Sequence, residues 1–361
     1  MEVIETNPAE TAETGEKSFD WNLKGKSIRE LETIFKELGE PAYRAKQAFR
    51  RINKHQASSL DDFSEFPKTL REKLKEMRCF PDVPMIHTAL DEGGTEKVIF
   101  SLGKDRRGGE KKIEAVWIVS ERRRTICISS QAGCSLNCTF CATGTLDFTG
   151  NLSPWHIVEQ VYALMRHRKE KPTNIVFMGM GEPFYNYDNV LKAAHLLNHP
   201  DGLHLGAHHI TISTAGVIPG IERFTKDREP FNLAVSLNHP DPEGRSEIMD
   251  VNKRFPLNKL LEAVRKYTNE MDRRVTFEYV MISGVNIGPD NARKLIKIAR
   301  SVRCKINLIP LNTALQNYKR PAPEEIAQFQ NMLLDADLTV FNRGSPGRAI
   351  AGACGMLALK T

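Results

Sequence analysis

The feature that most constrains the fold is a regular alternation of short apolar segments with longer amphipathic ones between residues 125 and 310. The short segments have the length of strands, and the longer ones carry apolar residues at helical spacing. This alternation predicts parallel strands joined by crossover helices, so the expected fold class is α/β with a partial (βα)6 barrel. Strands are predicted at 125–131, 174–180, 209–214, 232–237, 275–282 and 305–310, and helices at 153–168, 187–198, 218–226, 257–270 and 289–302.

The chain before this alternation divides into three further pieces. Residues 1–24 are polar and acidic without an apolar period, which predicts a disordered tail. Residues 25–82 contain three amphipathic helical patterns and predict a small helical domain, which we expect to bind RNA. Residues 83–122 alternate apolar and polar residues around a glycine-rich turn, which predicts a β-hairpin linker. Residues 123–361 then form the barrel and a C-terminal segment.

Charge and hydropathy narrow the class of protein. No run approaches the roughly 20 apolar residues that a membrane helix needs, and the acidic start is unlike a secretory signal, so a cytoplasmic location is expected. The formal net charge is +6. Basic runs occur at 104–112, 121–124 and 166–171. Such runs are typical either of solvated faces or, where they share one surface, of a protein that binds RNA phosphates.

Three cysteines, Cys134, Cys138 and Cys141, follow the first predicted barrel strand. In barrels of this type the chemistry lies in loops at the carboxyl ends of the strands. A structural zinc site with His156 or Cys127 as fourth ligand is one interpretation, but the chain has no second Cys-x-x-Cys pair. A four-iron cluster with three protein ligands is the other, because it leaves one iron open to a substrate or cofactor.

The spacing Cys-x-x-x-Cys-x-x-Cys, with Phe140 before the last cysteine, resembles the radical S-adenosylmethionine (SAM) superfamily. Further stretches resemble the RlmN/Cfr family of RNA adenine methyltransferases, in the family's order. They are CISSQAGCSLNCTFCATG at 127–144, FMGMGEPFYN at 177–186, ITISTAGVIPGI at 210–221, EYVMISGVN at 278–286, CKINLIPLN at 304–312 and GACGML at 352–357. The sequence Gly181-Glu182-Pro183 is more similar to the RlmN branch, which methylates carbon 2 of adenosine, than to the Cfr branch, which methylates carbon 8.

The resemblance implies a [4Fe–4S] cluster on Cys134, Cys138 and Cys141. It also implies two molecules of SAM per turnover and a catalytic pair, Cys354 and Cys127. Cys354 would receive a methyl group from one SAM, and a radical made from the second would remove hydrogen from it. The resulting carbon radical would add to adenine, and Cys127 would resolve the protein–RNA adduct by forming a disulfide with Cys354. Radical chemistry suits this target because the amidine carbons of adenine are electrophilic.

The resemblance also assigns the remaining site residues. Glu114 matches the family's proposed proton acceptor, although an ordinary exposed strand carboxylate is the alternative interpretation. The implied SAM contacts are Gly181, Glu182, Ser213, Ser236, Asn238 and Asn312. Gly181 would allow a close backbone approach, and Glu182 would accept from the charged amino group. These polar residues stand at successive strand ends, as a barrel-top site requires.

Departures from the family leave alternatives open. Residues 147–152 read DFTGNL without the family's arginine, Asn238 replaces a histidine, and residues 351–357 read AGACGML. The implied substrates are 23S rRNA and, as a second candidate, tRNA; the implied partners also include an electron donor such as flavodoxin or ferredoxin, and a monomer is expected. One competing hypothesis is a divergent family member that methylates carbon 8 of adenosine or acts on another RNA target. The other is a non-catalytic iron–sulfur protein that binds RNA.

Overall fold

The structure, a computed structural model, describes residues 19–104, 108–313, 315 and 318–359. Its strands are β1 (Met85–Leu90), β2 (Glu96–Lys104), β3 (Glu110–Ser120), β4 (Arg123–Cys127), β5 (Gln131–Ala132), β6 (Gly150–Asn151), β7 (Asn174–Phe177), β8 (Ile210–Thr214), β9 (Asn232–Ser236), β10 (Val275–Met281), β11 (Cys304–Pro310) and β12 (Val340–Asn342). Its α-helices are α1 (Ile28–Glu37), α2 (Tyr43–Asn53), α3 (Lys68–Glu76), α4 (Pro154–Arg168), α5 (Tyr187–Asn198), α6 (Ile218–Lys226), α7 (Pro242–Ile248), α8 (Val251–Arg254), α9 (Leu257–Glu270), α10 (Pro289–Arg300) and α11 (Pro323–Leu334).

One sheet of ten strands organises the chain, in the order β1-β2-β3-β4-β7-β8-β9-β10-β11-β12. Strands β1 to β4 pair antiparallel, and the pairs from β4–β7 to β11–β12 are parallel. Parallel strands need crossover helices, which α4, α5, α6, α9 and α10 provide. The partial barrel with six βα repeats is therefore confirmed.

The predicted elements of the barrel agree with the observed ones to within a few residues. The short parallel strand β12, the helix α11, and the short helices α7 and α8 between β9 and α9 were not predicted. A strand of three residues such as β12 is too short to give a period in the sequence. It forms because the edge of β11 offers unpaired backbone groups.

The N-terminal helices form a unit with its own aromatic core. Phe35 and Phe63 contact Phe66 at ring-centroid distances of 5.6 and 5.2 Å, and all three are buried. At the start of α1, Ser27 and Glu30 form a reciprocal capping box, which satisfies backbone N–H groups that the helix leaves unpaired.

The predicted disordered tail at 1–24 extends too far. Leu23 and Lys24 are buried, and Lys24 Nζ lies 3.1 Å from Glu159 Oε2 on α4. Tyr162 on the same helix donates a hydrogen bond of 2.9 Å to Asn53 Oδ1. Residues near the start of the chain therefore dock the N-terminal helices on the barrel. Residues 1–18 of the predicted tail lie outside the described residues.

The segment predicted as a hairpin linker at 83–122 is part of the main sheet. Strand β3 pairs with β4 in an antiparallel register that includes Val116 opposite Cys127. The hairpin strands thus extend the barrel sheet on the side where it begins, and residues from them lie close to the site described below.

Candidate functional site

A cavity opens at the carboxyl ends of the parallel strands. It encloses about 1040 Å³, part of it open to solvent. Of the residues predicted for the site, those that line it are Cys134, Cys138, Cys141, Gly181, Glu182, Ser213, Ser236, Asn238, Asn312 and Cys354. We call it the triplet cavity, after the cysteine triplet Cys134, Cys138 and Cys141. The topology brings these residues together because parallel strands end at the same edge.

Hydrogen bonds hold the loop that carries the triplet. Leu136 N donates to Cys134 Sγ at 3.4 Å, and Cys141 N donates to Cys138 O at 3.0 Å. Thr139 N donates to Ile248 O at the end of α7 at 3.1 Å. The loop is therefore fixed by the β9–α9 connection as well as by its own turns.

The thiols of the triplet influence each other's ionisation. Burial, together with the charge of Cys141, raises the pKa of Cys134 to about 12. Burial raises the pKa of Cys138 well above its ordinary value, and the charges of Cys141 and Cys134 act in the same direction. Three thiolates so placed repel one another, so a cationic group among them would stabilise the arrangement.

The triplet does not form a compact site for one metal ion. Within the part of the chain that the structure describes, no three His, Cys, Asp or Glu side chains group closely enough to hold such an ion. Tetrahedral zinc would bring its sulfur ligands to about 3.8 Å from one another. In an iron–sulfur cluster each cysteine binds a different iron, so the sulfurs stand further apart. A donor set of three thiolates matches a four-iron cluster with one open iron, whereas structural zinc takes four protein ligands.

The two residues suggested as a fourth zinc ligand lie away from the triplet cavity. The Nδ1 atom of His156 lies 2.7 Å from Ser153 Oγ, within hydrogen-bond distance, and burial lowers the pKa of His156 to about 4. Neither His156 nor Cys127 lines the triplet cavity.

Glu182 is a buried carboxylate with both oxygens engaged. Oε1 accepts from Phe184 N at 3.0 Å, and Oε2 accepts from Ala215 N at 2.7 Å. Burial raises the pKa of Glu182 to about 7, against the lowering effect of these backbone bonds. The residue can thus change protonation state near neutral pH while it faces the cavity.

Gly181 has a packing reason to be glycine. Its φ is +99°, and a Cβ atom would lie 2.5 Å from Gln131 Cβ. The Gln131 side chain uses this space to accept a hydrogen bond of 2.9 Å from Glu182 N. The missing Cβ at Gly181 therefore leaves room for the side chain that positions Glu182.

Two of the predicted SAM contacts, Asn238 and Asn312, already form hydrogen bonds within the protein. Asn238 accepts from Val280 N at 2.9 Å, and its Nδ2 atom lies 3.3 Å from Met249 Sδ. Its φ of +56° is one that asparagine tolerates better than most residues. Asn312 Nδ2 donates to Cys354 O at 3.1 Å, so Asn312 holds the backbone of a predicted catalytic residue.

Cys127 and Cys354 both line a second, smaller cavity. This side cavity encloses about 460 Å³ and is lined by both cysteines and by Arg343. Cys354 lines the triplet cavity as well, so it stands between the two spaces. Both thiols are free.

The two thiols have high pKa values. Burial raises the pKa of Cys127 to about 11, and the Arg343 guanidinium opposes this. Cys354 is accessible from the cavities, but protein surrounds it otherwise, and this burial raises its pKa to about 12, again opposed by Arg343. The arginine therefore favours the thiolate of both residues. Nothing in the sequence around Arg343 signals this position.

The segment that carries Cys354 has little regular structure of its own. Hydrogen bonds to four other parts of the chain hold it. Gly347 N donates to Asp91 Oδ2 at 2.9 Å, and Leu359 N donates to Glu114 Oε2 at 3.0 Å. The carbonyl of Cys354 accepts from Asn312 Nδ2, and that of Gly355 accepts from Ala142 N at 2.8 Å. We call residues 343–359 the C-terminal segment. It lies between the hairpin strands and the cysteine loop.

Glu114 is neither exposed nor on the cavity wall. Its side chain is fully buried, and Oε1 lies 3.2 Å from Lys97 Nζ. Burial raises its pKa, against the lowering effect of Leu359 N and Lys97. The alternative interpretation as an exposed strand carboxylate is therefore wrong.

Two family models match the chain. The model of the radical SAM superfamily matches residues 128–296, and the model of the ribosomal RNA large subunit methyltransferase N-terminal domain matches residues 21–80. Radical SAM proteins use a [4Fe–4S] cluster and SAM, so the family implies both cofactors for this chain.

Similar proteins match nearly the whole length. The probable dual-specificity RNA methyltransferase RlmN of Leptospira biflexa is 52% identical over 94% of this chain and 96% of its own. The dual-specificity RNA methyltransferase RlmN of Geobacter sulfurreducens is 40% identical over 93% of this chain and 91% of its own. A crystal structure of a radical SAM methyltransferase from Sphaerobacter thermophilus is similar with a TM-score of 0.88 and 37% identity, covering 94% of this chain and 99% of that one. The chain therefore belongs to the RlmN family of the radical SAM superfamily.

Proposed function

We propose that this protein is a SAM-dependent RNA methyltransferase that methylates carbon 2 of adenosine in 23S rRNA and also acts on tRNA. The observation that carries the proposal is the position of Cys354, which lines both the triplet cavity and the side cavity that contains Cys127. One cysteine with access to both spaces suits a reaction in which it first carries a methyl group and later pairs with a second thiol. Relatives named as dual-specificity RNA methyltransferases support the substrate class.

We assign the cysteine triplet as the ligands of the cluster. When bound, the cluster and SAM supply the radical that removes hydrogen from an otherwise unreactive methyl group. In this proposal Glu182 accepts a hydrogen bond from the amino group of SAM, while Gly181, Ser213, Ser236, Asn238 and Asn312 shape the rest of its site. Their lining of one cavity supports the assignment.

The proposed role of Cys354 is to carry the methyl group as S-methylcysteine. After a carbon–carbon bond to adenine forms, the product is still attached to the protein through the sulfur. The Cys127 thiolate attacks this sulfur and a Cys127–Cys354 disulfide forms. The bond from sulfur to the new methyl carbon breaks, and that carbon keeps the electron pair and takes up a proton to become the methyl group. External thiols then reduce the disulfide. Arg343 supports this step because its charge favours the thiolate of Cys127.

Glu114 is proposed as the group that accepts the proton from the adenine carbon. Its raised pKa favours proton uptake. Its carboxylate bonds Leu359 N, while Leu357 in the same segment lines the triplet cavity. The carboxylate is therefore separated from the cavity by the C-terminal segment, and a shift of that segment on RNA binding would give it access.

The N-terminal helices and the neighbouring barrel surface are proposed to bind RNA phosphates. Lys54 at the end of α2 and Lys171 after α4 line one surface depression, together with His204. In the predicted basic run at 121–124, Arg124 already pairs with Glu170 at 2.9 Å. Residues 105–107 of the predicted run at 104–112 lie outside the described residues. RNA affinity should fall steeply with salt, and replacing Lys54 and Lys171 by glutamine should reduce the salt slope by about 1 for each phosphate that is no longer neutralised.

The deciding experiment is nucleoside mass spectrometry on separated rRNA and tRNA from cells with and without the gene, with 2-methyladenosine and 8-methyladenosine standards. Loss of 2-methyladenosine is expected, and the fraction in which it disappears identifies the RNA. Loss of 8-methyladenosine would instead favour the carbon-8 alternative. RNA binding without either change would favour the non-catalytic alternative.

None of the described helices is long and apolar enough to span a membrane. We further propose a monomer in the cytoplasm that receives electrons from a donor such as flavodoxin or ferredoxin.

A further inference from the structure

A fully buried arginine lies behind the wall of the triplet cavity. Arg245 on α7 is 0% exposed. Its guanidinium donates to the carbonyls of Ala215, Ser236 and Leu237 at 2.6, 3.1 and 3.0 Å, and to Asn252 Oδ1 at 2.8 Å. All four acceptors are neutral, so these bonds satisfy the N–H groups without neutralising the charge.

Two of these acceptors, the carbonyls of Ala215 and Ser236, belong to residues that line the triplet cavity, so the cation lies directly behind the cavity wall. Burial lowers the pKa of Arg245 to about 10, and the charge of Cys138 opposes this. The arginine therefore stays cationic at neutral pH. Among the residues that the structure describes, its hydrogen bonds go to neutral oxygens and not to a carboxylate, and a buried charge without a charged partner is costly. A negative group in the adjoining cavity would provide the missing compensation.

Gly216 leaves room for the Arg245 guanidinium, and the helix that carries Arg245 contacts the cysteine loop. Gly216 has a φ of +108°, and a Cβ atom there would lie 3.1 Å from Arg245 Nη2. Helix α7 ends at Ile248, whose carbonyl accepts from Thr139 N, between Cys138 and Cys141. The same short helix thus carries the cation and anchors the loop.

We propose that Arg245 is a positioning residue that supplies a fixed positive charge to the cluster and makes it easier to reduce. The proposal rests on the assignment of the triplet as cluster ligands. Three thiolates give an oxidised four-iron cluster a net negative charge, and the added electron increases it. A nearby cation in a low-dielectric interior stabilises the more negative, reduced form more than the oxidised one. Net charge and burial are known to set the reduction potentials of such clusters.

The test compares full-length protein, purified without oxygen, as wild type, Arg245→Gln, Arg245→Lys and Arg273→Gln. Arg273 is the matched control because it also donates to backbone carbonyls, those of Pro230 and Phe231, but at the amino ends of the strands. Iron and sulfide content is measured first, and the midpoint potential is then followed by electron paramagnetic resonance. We expect Arg245→Gln to lower the reduction equilibrium constant at least tenfold, which is about 59 mV for one electron. Arg245→Lys should retain most of the wild-type potential, and Arg273→Gln should match it.

Every other outcome of this experiment either supports or overturns the proposal. A full cluster with the wild-type potential in Arg245→Gln would overturn the proposal. If Arg245→Gln loses its cluster, the Arg245→Lys variant decides. A cluster of wild-type potential in Arg245→Lys would support the role of the charge. Loss of the cluster in Arg245→Lys as well would show a requirement for guanidinium geometry alone and would overturn the proposal. Wild-type protein that holds no cluster would instead refute the proposed cluster site itself.

Discussion

The hydroxyl of Thr143 donates a hydrogen bond of 2.7 Å to the carbonyl of Leu357, and both residues are buried. This bond joins the turn after Cys141 to the stretch after Cys354. The neighbouring bond from Ala142 N to Gly355 O, at 2.8 Å, reinforces it. The position of Cys354 relative to the cysteine triplet therefore depends on contacts with the triplet loop.

Thr143→Val should loosen the C-terminal segment, because valine keeps the volume but leaves the Leu357 carbonyl without its partner. The expected cost is about 1–3 kcal/mol of docking free energy. Hydrogen exchange at residues 352–359 should become faster by a factor of roughly 5 to 140, since about 1.4 kcal/mol is a factor of ten. Thr145→Val is the control, because Thr145 bonds only within its own turn, to Ala142 O. Equal exchange in the two variants would contradict this role.

Cys354→Ala should abolish methylation and leave RNA affinity nearly unchanged, because it removes the proposed methyl carrier without a charged contact. The measurement is incorporation of labelled methyl groups into RNA, with binding followed separately. Cys304→Ala serves as the control, because Cys304 lies at the amino end of β11, far from the cavity mouth. Normal turnover of Cys354→Ala would refute the proposed mechanism.

Cys127→Ala should accumulate a covalent protein–RNA adduct, because the thiolate that releases the product is missing. Denaturing electrophoresis of the reaction mixture would detect the adduct as a band that ribonuclease treatment collapses. The double variant Cys127→Ala/Cys354→Ala is the control and should show none. If the single variant turned over repeatedly without an adduct, another group would have to release the product.

Glu182 should make folding stability depend on pH. The unfolded chain releases this proton near the ordinary pKa of 4.5, and the folded protein releases it at about 7. Between these values the folded state holds more protons, so the contribution is favourable at low pH and is lost as pH rises, by about 1.4 kcal/mol per pH unit. Urea denaturation of the cluster-free, reduced protein at pH 5 to 7 would measure it. Glu182→Gln should show a shallower slope, whatever its absolute stability; parallel slopes would argue against the raised pKa.

Lys24→Met should destabilise the docking of the N-terminal helices. It removes the buried partner of Glu159, which would retain only Arg166, at 2.6 Å. The expected loss is about 3 kcal/mol, at the low end for a broken buried pair because of that second cation. The surface pair of Lys26 and Asp20 offers a control, since Lys26→Met should cost about 0–1 kcal/mol in the same urea experiment.

The amino-acid sequence by itself determined the barrel and the cysteine triplet. From residue 125 to 310, apolar residues recur at the spacing of strands and of helices. This spacing is visible in the sequence because each strand or helix must bury one of its own faces. The resemblance added Cys127 and Cys354, which no local pattern could pair across such a distance in the chain. The same reasoning missed β12 and α11, and it placed the hairpin strands outside the sheet that they extend.

Only the tertiary structure decided which polar side chains are free and which charges are buried. Glu114 lies on a strand with no sequence signal of burial, yet it is fully enclosed beside Lys97 because the C-terminal segment covers it. Packing between segments far apart in the chain brings Arg343 to the side cavity and Arg245 to the back of the triplet cavity's wall. Burial and charge–charge distance depend on the whole fold, and they set the pKa values and the accessible thiols of this site.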